Sequence, residues 1–240
     1  MNMKTAVALS VRSDGPPSPR KAGRPKRRPA DRRDQILAAS AALFAAHGFE
    51  QTSVRQIAER VDMLPGSLYH HFATKEDILH EILRAPLERT LQVQQGLLRI
   101  EGTAEVRLVS SVRQRFRDFV DHRELNAILL NDSAFFRGRA DFAYVQDSKA
   151  ASFKIQEAIL LDGMRERLFR PDLDVYMMIG TVARMLSSAG DWFRSNTFVH
   201  SDDPDSYTFD RVVSFYVDCV LRLVRSAERL GDPVPATAEA

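Results

Sequence analysis

Between Thr52 and Lys75 the chain gathers side chains that donate hydrogen bonds and positive charge, at spacings that set them around short helices. Ser67, Tyr69, His70 and His71 lie off the face on which Leu68 and Phe72, four residues apart, would be buried. They are candidates for contact with phosphates and base edges, the two kinds of partner that position a protein on a duplex and read it. Thr52, Ser53, Arg55 and Lys75 stand at expected helix beginnings, where free backbone N–H groups and the helix dipole favour phosphate. Thr52 and Ser53 would cap a helix in either case, and His71 is equally well placed for solvent. Gly66, with no side chain at the leading turn of its helix, leaves room either for close approach to a duplex or for a tight packing contact.

These residues need short rigid elements to hold them. A first helix is expected from about Arg32 to His47, with Ile36, Leu37, Leu43 and Phe44 on one face and Gly48 as its left-handed stop. Ser53 and Gln56 form an S-x-x-Q capping box for a second helix that buries Ile57, Ala58 and Val61. Pro65 opens a third at its first position, ending near Phe72. Thr74 caps a fourth, with Asp77 three residues on and Pro86 as an expected kink. Helices two and three, with the tight turn between them, have the spacing of a helix-turn-helix.

The run Thr52 to Glu76, TSVRQIAERVDMLPGSLYHHFATKE, resembles the DNA-binding signature of the TetR family over its whole length. Leu43, Phe44, Gly48 and Phe49 before it and Lys75 to Leu79 after it extend the likeness to about Arg32–Leu83. The resemblance implies a dimeric regulator, by family habit a repressor, that binds a double-stranded operator. It also implies that Tyr69, His70 and Lys75 touch the phosphate backbone. Leu64 departs from the pattern, standing where many members carry a Ser or Thr cap.

Met1 to Asp34 carries ten Lys/Arg against three Asp, in a chain whose net charge is +2, so the rest is acidic on balance. Such asymmetry points the N-terminal segment at a polyanion. Residues 1–30 are Pro-rich and are expected to form a mobile basic arm. Its Gly23-Arg24-Pro25 resembles the core of minor-groove AT-hooks, with Arg24 as the inserted residue, although Ala22 replaces the usual preceding Arg; a nonspecific phosphate tether is the other reading. The single cysteine, Cys219, allows no internal disulfide and fits a reducing cytoplasm. The apolar start, Ala6 to Val11, is too short to span a membrane.

The expected architecture is all-α: an arm at 1–30, a helix-turn-helix domain at 31–84, a larger helical domain at 85–230 for effector binding and dimerisation, and a tail at 231–240. Further helices are expected at Ala104–His122, Glu124–Asp132, Asp141–Leu168, Asp172–Ser195 and Ser206–Leu230. Val175, Ile179, Val182 and Leu186, then Val212, Val213, Tyr216, Val220 and Val224, form stripes that would pair with a second copy or fill the monomer core. The larger domain carries no metal, cofactor or catalytic motif, so no enzyme activity is expected.

Phe169 to Val175 (FRPDLDV), Trp192 to Arg194, Asn131-Asp132 and the run from Phe142 are similar to an acyl-coenzyme A-sensing subgroup of the same family. That resemblance implies an apolar chamber with cations at its mouth. Phe116, Phe119, Phe153, Met185, Trp192 and Phe193 are the candidate walls, and Arg115, Arg184 and Arg194 the candidate cations. The other class open to this sequence is a ligand-independent DNA-binding factor acting through protein partners, since fold alone does not settle function.

Overall fold

The computed structural model describes residues 29–195 and 207–235, without the side chains of residues 29–31, 191–192 and 194–195. The described residues are helical and contain no strand, only one isolated bridge between Phe169 and Arg225. Helix α1 is Pro29–His47, α2 Val54–Arg60, α3 Pro65–Leu68 and α4 Lys75–Leu97. Gly48 ends α1 at φ +85°, its N–H donating to Phe44 O (2.8 Å). A side chain there would be strained, and its Cβ would also press on Asp132 Oδ1 at 3.3 Å.

Both expected capping boxes form. Ser53 N–H donates to Gln56 Oε1 (2.7 Å) and Gln56 N–H to Ser53 Oγ (3.2 Å), while Thr74 and Asp77 make the same exchange ahead of α4. Leu64 precedes α3 with no capping bond and is 76% exposed. Helix α3 is shorter than the sequence predicts. Its α-helical pattern stops at Leu68, and the chain winds on to Phe72 through tighter bonds such as His71 N–H to Leu68 O (2.9 Å). Leu68 and Phe72 are still buried together. Helix α4 runs through Pro86 without a break.

The remaining helices are α5 (Ala104–Asp121), α6 (Arg123–Asn131), α7 (Ala143–Arg165), α8 (Val175–Ser195) and α9 (Phe209–Val224). Helix α8 starts later than expected because Asp174, not Asp172, accepts from Met177 N–H (2.9 Å). Helix α9 ends early, where Arg225 adopts an extended backbone.

Two apolar cores form. One surrounds α5 with residues of α7, α8 and α9. The other joins Ile36, Phe44, Ile57, Leu68 and Leu79 of the first four helices to Ile128, Phe136, Phe142 and Val145. The second core therefore draws on residues well beyond 84. The apolar stripes of α8 and α9 face inward: Ile179, Leu186, Val212, Val213, Val220 and Val224 are buried within the monomer, because α5 and α7 cover them. What these helices leave outside is a different set, Tyr176, Met177, Phe215 and Leu223.

Gly163 shows how closely the first core is packed. A Cβ there would fall 2.0 Å from the fully enclosed Phe169 ring. Gly163→Ala is expected to lower stability by about 3 kcal/mol, the upper range for overpacking, read as a fall in denaturation midpoint. An unchanged midpoint would mean that the ring has room to move.

Candidate functional site

The donors singled out by the sequence divide into two groups. Tyr69 (54% exposed), His70, Ser53 and Arg55 face solvent, with Ser67 and His71 half-buried beside them. Gly66 is exposed and a Cβ there would meet nothing within 4 Å, so it serves no packing contact. Arg55 pairs with Glu59 across one turn of α2 (2.8 Å). Thr52 and Lys75 are turned inward. The Thr52 hydroxyl is buried and donates to Gly48 O (2.8 Å). Lys75 Nζ donates to Phe49 O (2.7 Å) and Thr52 O (2.8 Å), 4.2 Å from the centre of the Phe49 ring. Burial lowers the Lys75 pKa, with Glu76, Glu50 and Asp132 opposing. An ammonium has three hydrogens, so one remains for a phosphate. Arg24 lies outside the described residues.

The surface around Tyr69 and His70 is held by cations that the sequence did not single out. Arg32 donates to Val61 O (3.1 Å), closing the end of α2. Arg33 donates to His71 O (2.5 Å), pairs with Glu81, and lies over the Phe72 ring at 4.1 Å. Helix α1 thus fixes the turn that follows α3 through charge-assisted bonds, which are stronger than neutral ones.

Across the molecule, α4, α5, α6, α7 and α8 line a partly open cavity of about 390 Å³. Leu87, Leu91, Phe119, Leu129, Phe153 and Ile179 give it apolar walls. Of the expected lining residues, Phe119, Phe153 and Arg184 are on the wall, as is Arg115. Phe116, Met185 and Phe193 are not. Phe116 is fully buried, its ring 5.8 Å from that of Phe193 and 5.3 Å from that of Phe209, and Met185 packs on the same core. An aromatic at helical spacing fits both environments, and here the core took it. The side chains of Trp192 and Arg194 lie outside the described set.

Gln94, Asp118, Asn126 and Lys149, which the sequence reading did not name, also reach the cavity beside the expected Arg115 and Arg184. Lys149 and Arg184 are exposed residues of its lining. Although the residue is exposed by area, partial desolvation of its ammonium lowers the Lys149 pKa. Burial also raises the Asp118 carboxyl, against a hydrogen bond from Gln114 (3.0 Å) and the charges of His122 and Arg115, and it lowers the Arg115 guanidinium despite Asp118. Asn126 donates to His122 O (2.9 Å) and Asp118 O (3.2 Å), locking the corner between α5 and α6. The available signal was spacing: Arg115 and Asp118, three apart, share one helix face.

Helix α6 touches both regions. Asn126, Leu129 and Leu130 line the cavity, and one turn later Asn131 Nδ2 donates to Ala45 O (3.1 Å) while the Asp132 carboxylate accepts from Phe49 N–H (3.2 and 3.1 Å). Phe49 is the residue whose carbonyl and ring hold Lys75. A second link runs through α4 and the start of α7, where His80 stacks on Phe142 (4.1 Å) and meets Tyr144 Oη (3.2 Å). Desolvation pushes the Tyr144 phenol up to about 12.

Residues 36–82 match the family model described as "Bacterial regulatory proteins, tetR family". The chain is 30% identical over 164 residues to the HTH-type transcriptional repressor KstR2 of Mycobacterium tuberculosis, covering 68% of this chain and 82% of that protein. It is 34% identical to KstR2 of Mycolicibacterium smegmatis over 148 residues, 61% of this chain and 72% of the relative. The solved structure of the ketosteroid transcriptional regulator KstR2 of Mycobacterium tuberculosis superposes with a TM-score of 0.71 at 27% identity, covering 86% of this chain and all of that one. With a helix-turn-helix presenting Tyr69 and His70 and a helical domain behind it, the chain belongs to the TetR family and is a DNA-binding transcriptional repressor.

Proposed function

We propose that this repressor works as a twofold dimer and leaves its operator when a coenzyme A thioester enters the cavity. The observation that carries the reading is the apolar cavity of about 390 Å³ with the exposed cations Lys149 and Arg184 in its lining. That volume lies within the range of small-molecule sites, and cations beside an apolar chamber suit an acyl body joined to phosphates. The similarity to KstR2, a ketosteroid transcriptional regulator, supports an effector with a large apolar portion. The exposed Tyr176, Met177, Phe215 and Leu223 on α8 and α9 support pairing of these helices with a second copy. Twofold symmetry then places two recognition helices about 34 Å apart for successive major grooves, and effector binding favours a dimer in which that spacing is lost.

The test is to footprint the promoter beside the gene and then titrate acyl, aromatic and steroid-derived thioesters, with free coenzyme A as control. Release by a thioester recovered chemically intact is the expected result and speaks for a sensor rather than a catalyst. A footprint indifferent to every thioester favours the ligand-independent reading.

Contact residues on the DNA side are proposed from position and exposure: the exposed Ser53, Arg55, Tyr69 and His70 and the half-buried Ser67 and His71 through side chains, and Gly66 through close approach; Arg24, outside the described residues, is proposed from the basic sequence around it alone. Thr52 and Lys75 act mainly by holding the surface in shape. Tyr69→Phe is expected to weaken operator binding about threefold to tenfold with no change in melting temperature, as loss of one phosphate hydrogen bond would. Lys75→Met is expected to lower both, because two backbone carbonyls lose their donor. Equal melting temperatures for the two variants would make Lys75 a contact residue alone.

A further inference from the structure

We infer that Leu64 reads a thymine methyl group in the major groove of each operator half-site. This rests on the DNA-side surface proposed above and adds sequence discrimination to it. Leu64 sits in the turn between α2 and α3, more exposed than any other large apolar side chain among the described residues. Among the described residues ahead of Val93, only Leu64 and Tyr69 are large apolar side chains left exposed, and both belong to the helix-turn-helix.

The turn dictates the outward direction. Asp62 takes left-handed geometry (φ +55°), Met63 N–H returns to Ala58 O (2.9 Å), and the Met63 side chain packs against the core. Leu64 follows with an extended backbone (φ −73°, ψ 141°), the region that a proline imposes on the residue before it. Successive side chains of an extended segment point opposite ways, so Leu64 faces out because Met63 faces in. Gly66, two residues on, is exposed and carries no side chain, which leaves the leucine free to approach a groove floor closely.

An isobutyl group has no hydrogen bond to offer, so it discriminates by shape and by what it desolvates. In the major groove the thymine C5-methyl is the one apolar group, whereas guanine, adenine and cytosine present only acceptors and donors. Against those edges Leu64 would strip water without replacing its bonds. Against the methyl it buries apolar surface on both sides. Tyr69 and His70, exposed on the same unit, are left for the phosphates, which fix position rather than sequence.

The test uses the purified full-length protein and the operator fragment that its footprint defines. Each thymine is replaced in turn by deoxyuridine, which removes the methyl and keeps the base pair, and binding is read by fluorescence anisotropy. One thymine in each half-site is expected at which the replacement weakens binding about fourfold, the weight of one methyl group taken out of water. Leu64→Ser is expected to bind the thymine and uracil fragments equally well, with no fall in melting temperature because serine caps α3. A footprint in which no thymine is sensitive overturns the inference while the DNA-side surface stands, and so does undiminished sensitivity in Leu64→Ser. Should Tyr69→Phe leave operator affinity untouched as well, the surface itself falls.

Discussion

Arg225→Met, with Glu105 left in place, is expected to lower the unfolding free energy by about 3–5 kcal/mol. Arg225 Nε lies 2.6 Å from Glu105 Oε1, and the two side chains are 2% and 6% exposed. The same guanidinium donates to Asp232 O (2.5 Å) and Pro233 O (2.9 Å). One side chain therefore ties the end of α9 to the first turn of α5 and to the segment beyond. Backbone bonds surround it, from Arg170 N–H to Val224 O (2.9 Å) and from Ser226 N–H to Leu168 O (3.3 Å). Methionine fills much of the volume but leaves a carboxylate buried with only the half-exposed Arg229 nearby, at 3.8 Å. The cost is that stranded charge more than the lost bonds, so adding Glu105→Gln should recover part of the loss. Urea denaturation decides it: a single variant as stable as the parent would show that water reaches Glu105.

This pair was invisible in the sequence because its members are separated by 120 positions. Local chemistry was legible. Ser53 with Gln56, Thr74 with Asp77, and Gly48 each declare a helix end through bonds made within a few residues, Pro65 declares a start by needing no bond at its nitrogen, and all four form as read. The stripes of α8 and α9 left two readings open for the opposite reason. A stripe of Val, Ile and Leu reports burial but not by what, and α5 and α7 claim it before any second copy can. The same ambiguity sent Phe116 to the core and Phe119 to the cavity, three residues apart on one helix. Lys75 shows a further limit: a cation at a helix start has a phosphate in view, yet the nearer carbonyls of Phe49 and Thr52 take two of its hydrogens. Asn131 and Asp132 were noticed only as part of a likeness, and the physical reason for them is their hold on the far end of α1.

That hold leads to the second large effect: Asp132→Ala is expected to leave effector binding nearly intact while cutting effector-driven release of the operator at least about tenfold. Cavity residues of α6 lie within one turn of Asp132, and Asp132 is the acceptor for Phe49 N–H. A displacement of α6 by an occupant would thus reach α1 and, through Phe49, Lys75 and the start of α4. Alanine leaves Phe49 N–H buried without an acceptor, a loss of about 1–3 kcal/mol, so stability falls as well. Asp132→Asn separates the two consequences. Burial raises the Asp132 pKa, against the Phe49 bond. The folded carboxyl therefore holds its proton more tightly than the unfolded one. Its contribution to stability is fullest below the ordinary carboxylate value of about 3.9 and falls as pH rises through the raised one. Asparagine removes that slope, keeps an acceptor for Phe49, and should melt within about 1 kcal/mol of the parent at neutral pH. If release depends on the bond, Asp132→Asn responds to effector and Asp132→Ala does not. Equal release by the parent and both variants would place the coupling in α4 and the His80–Phe142 stack instead.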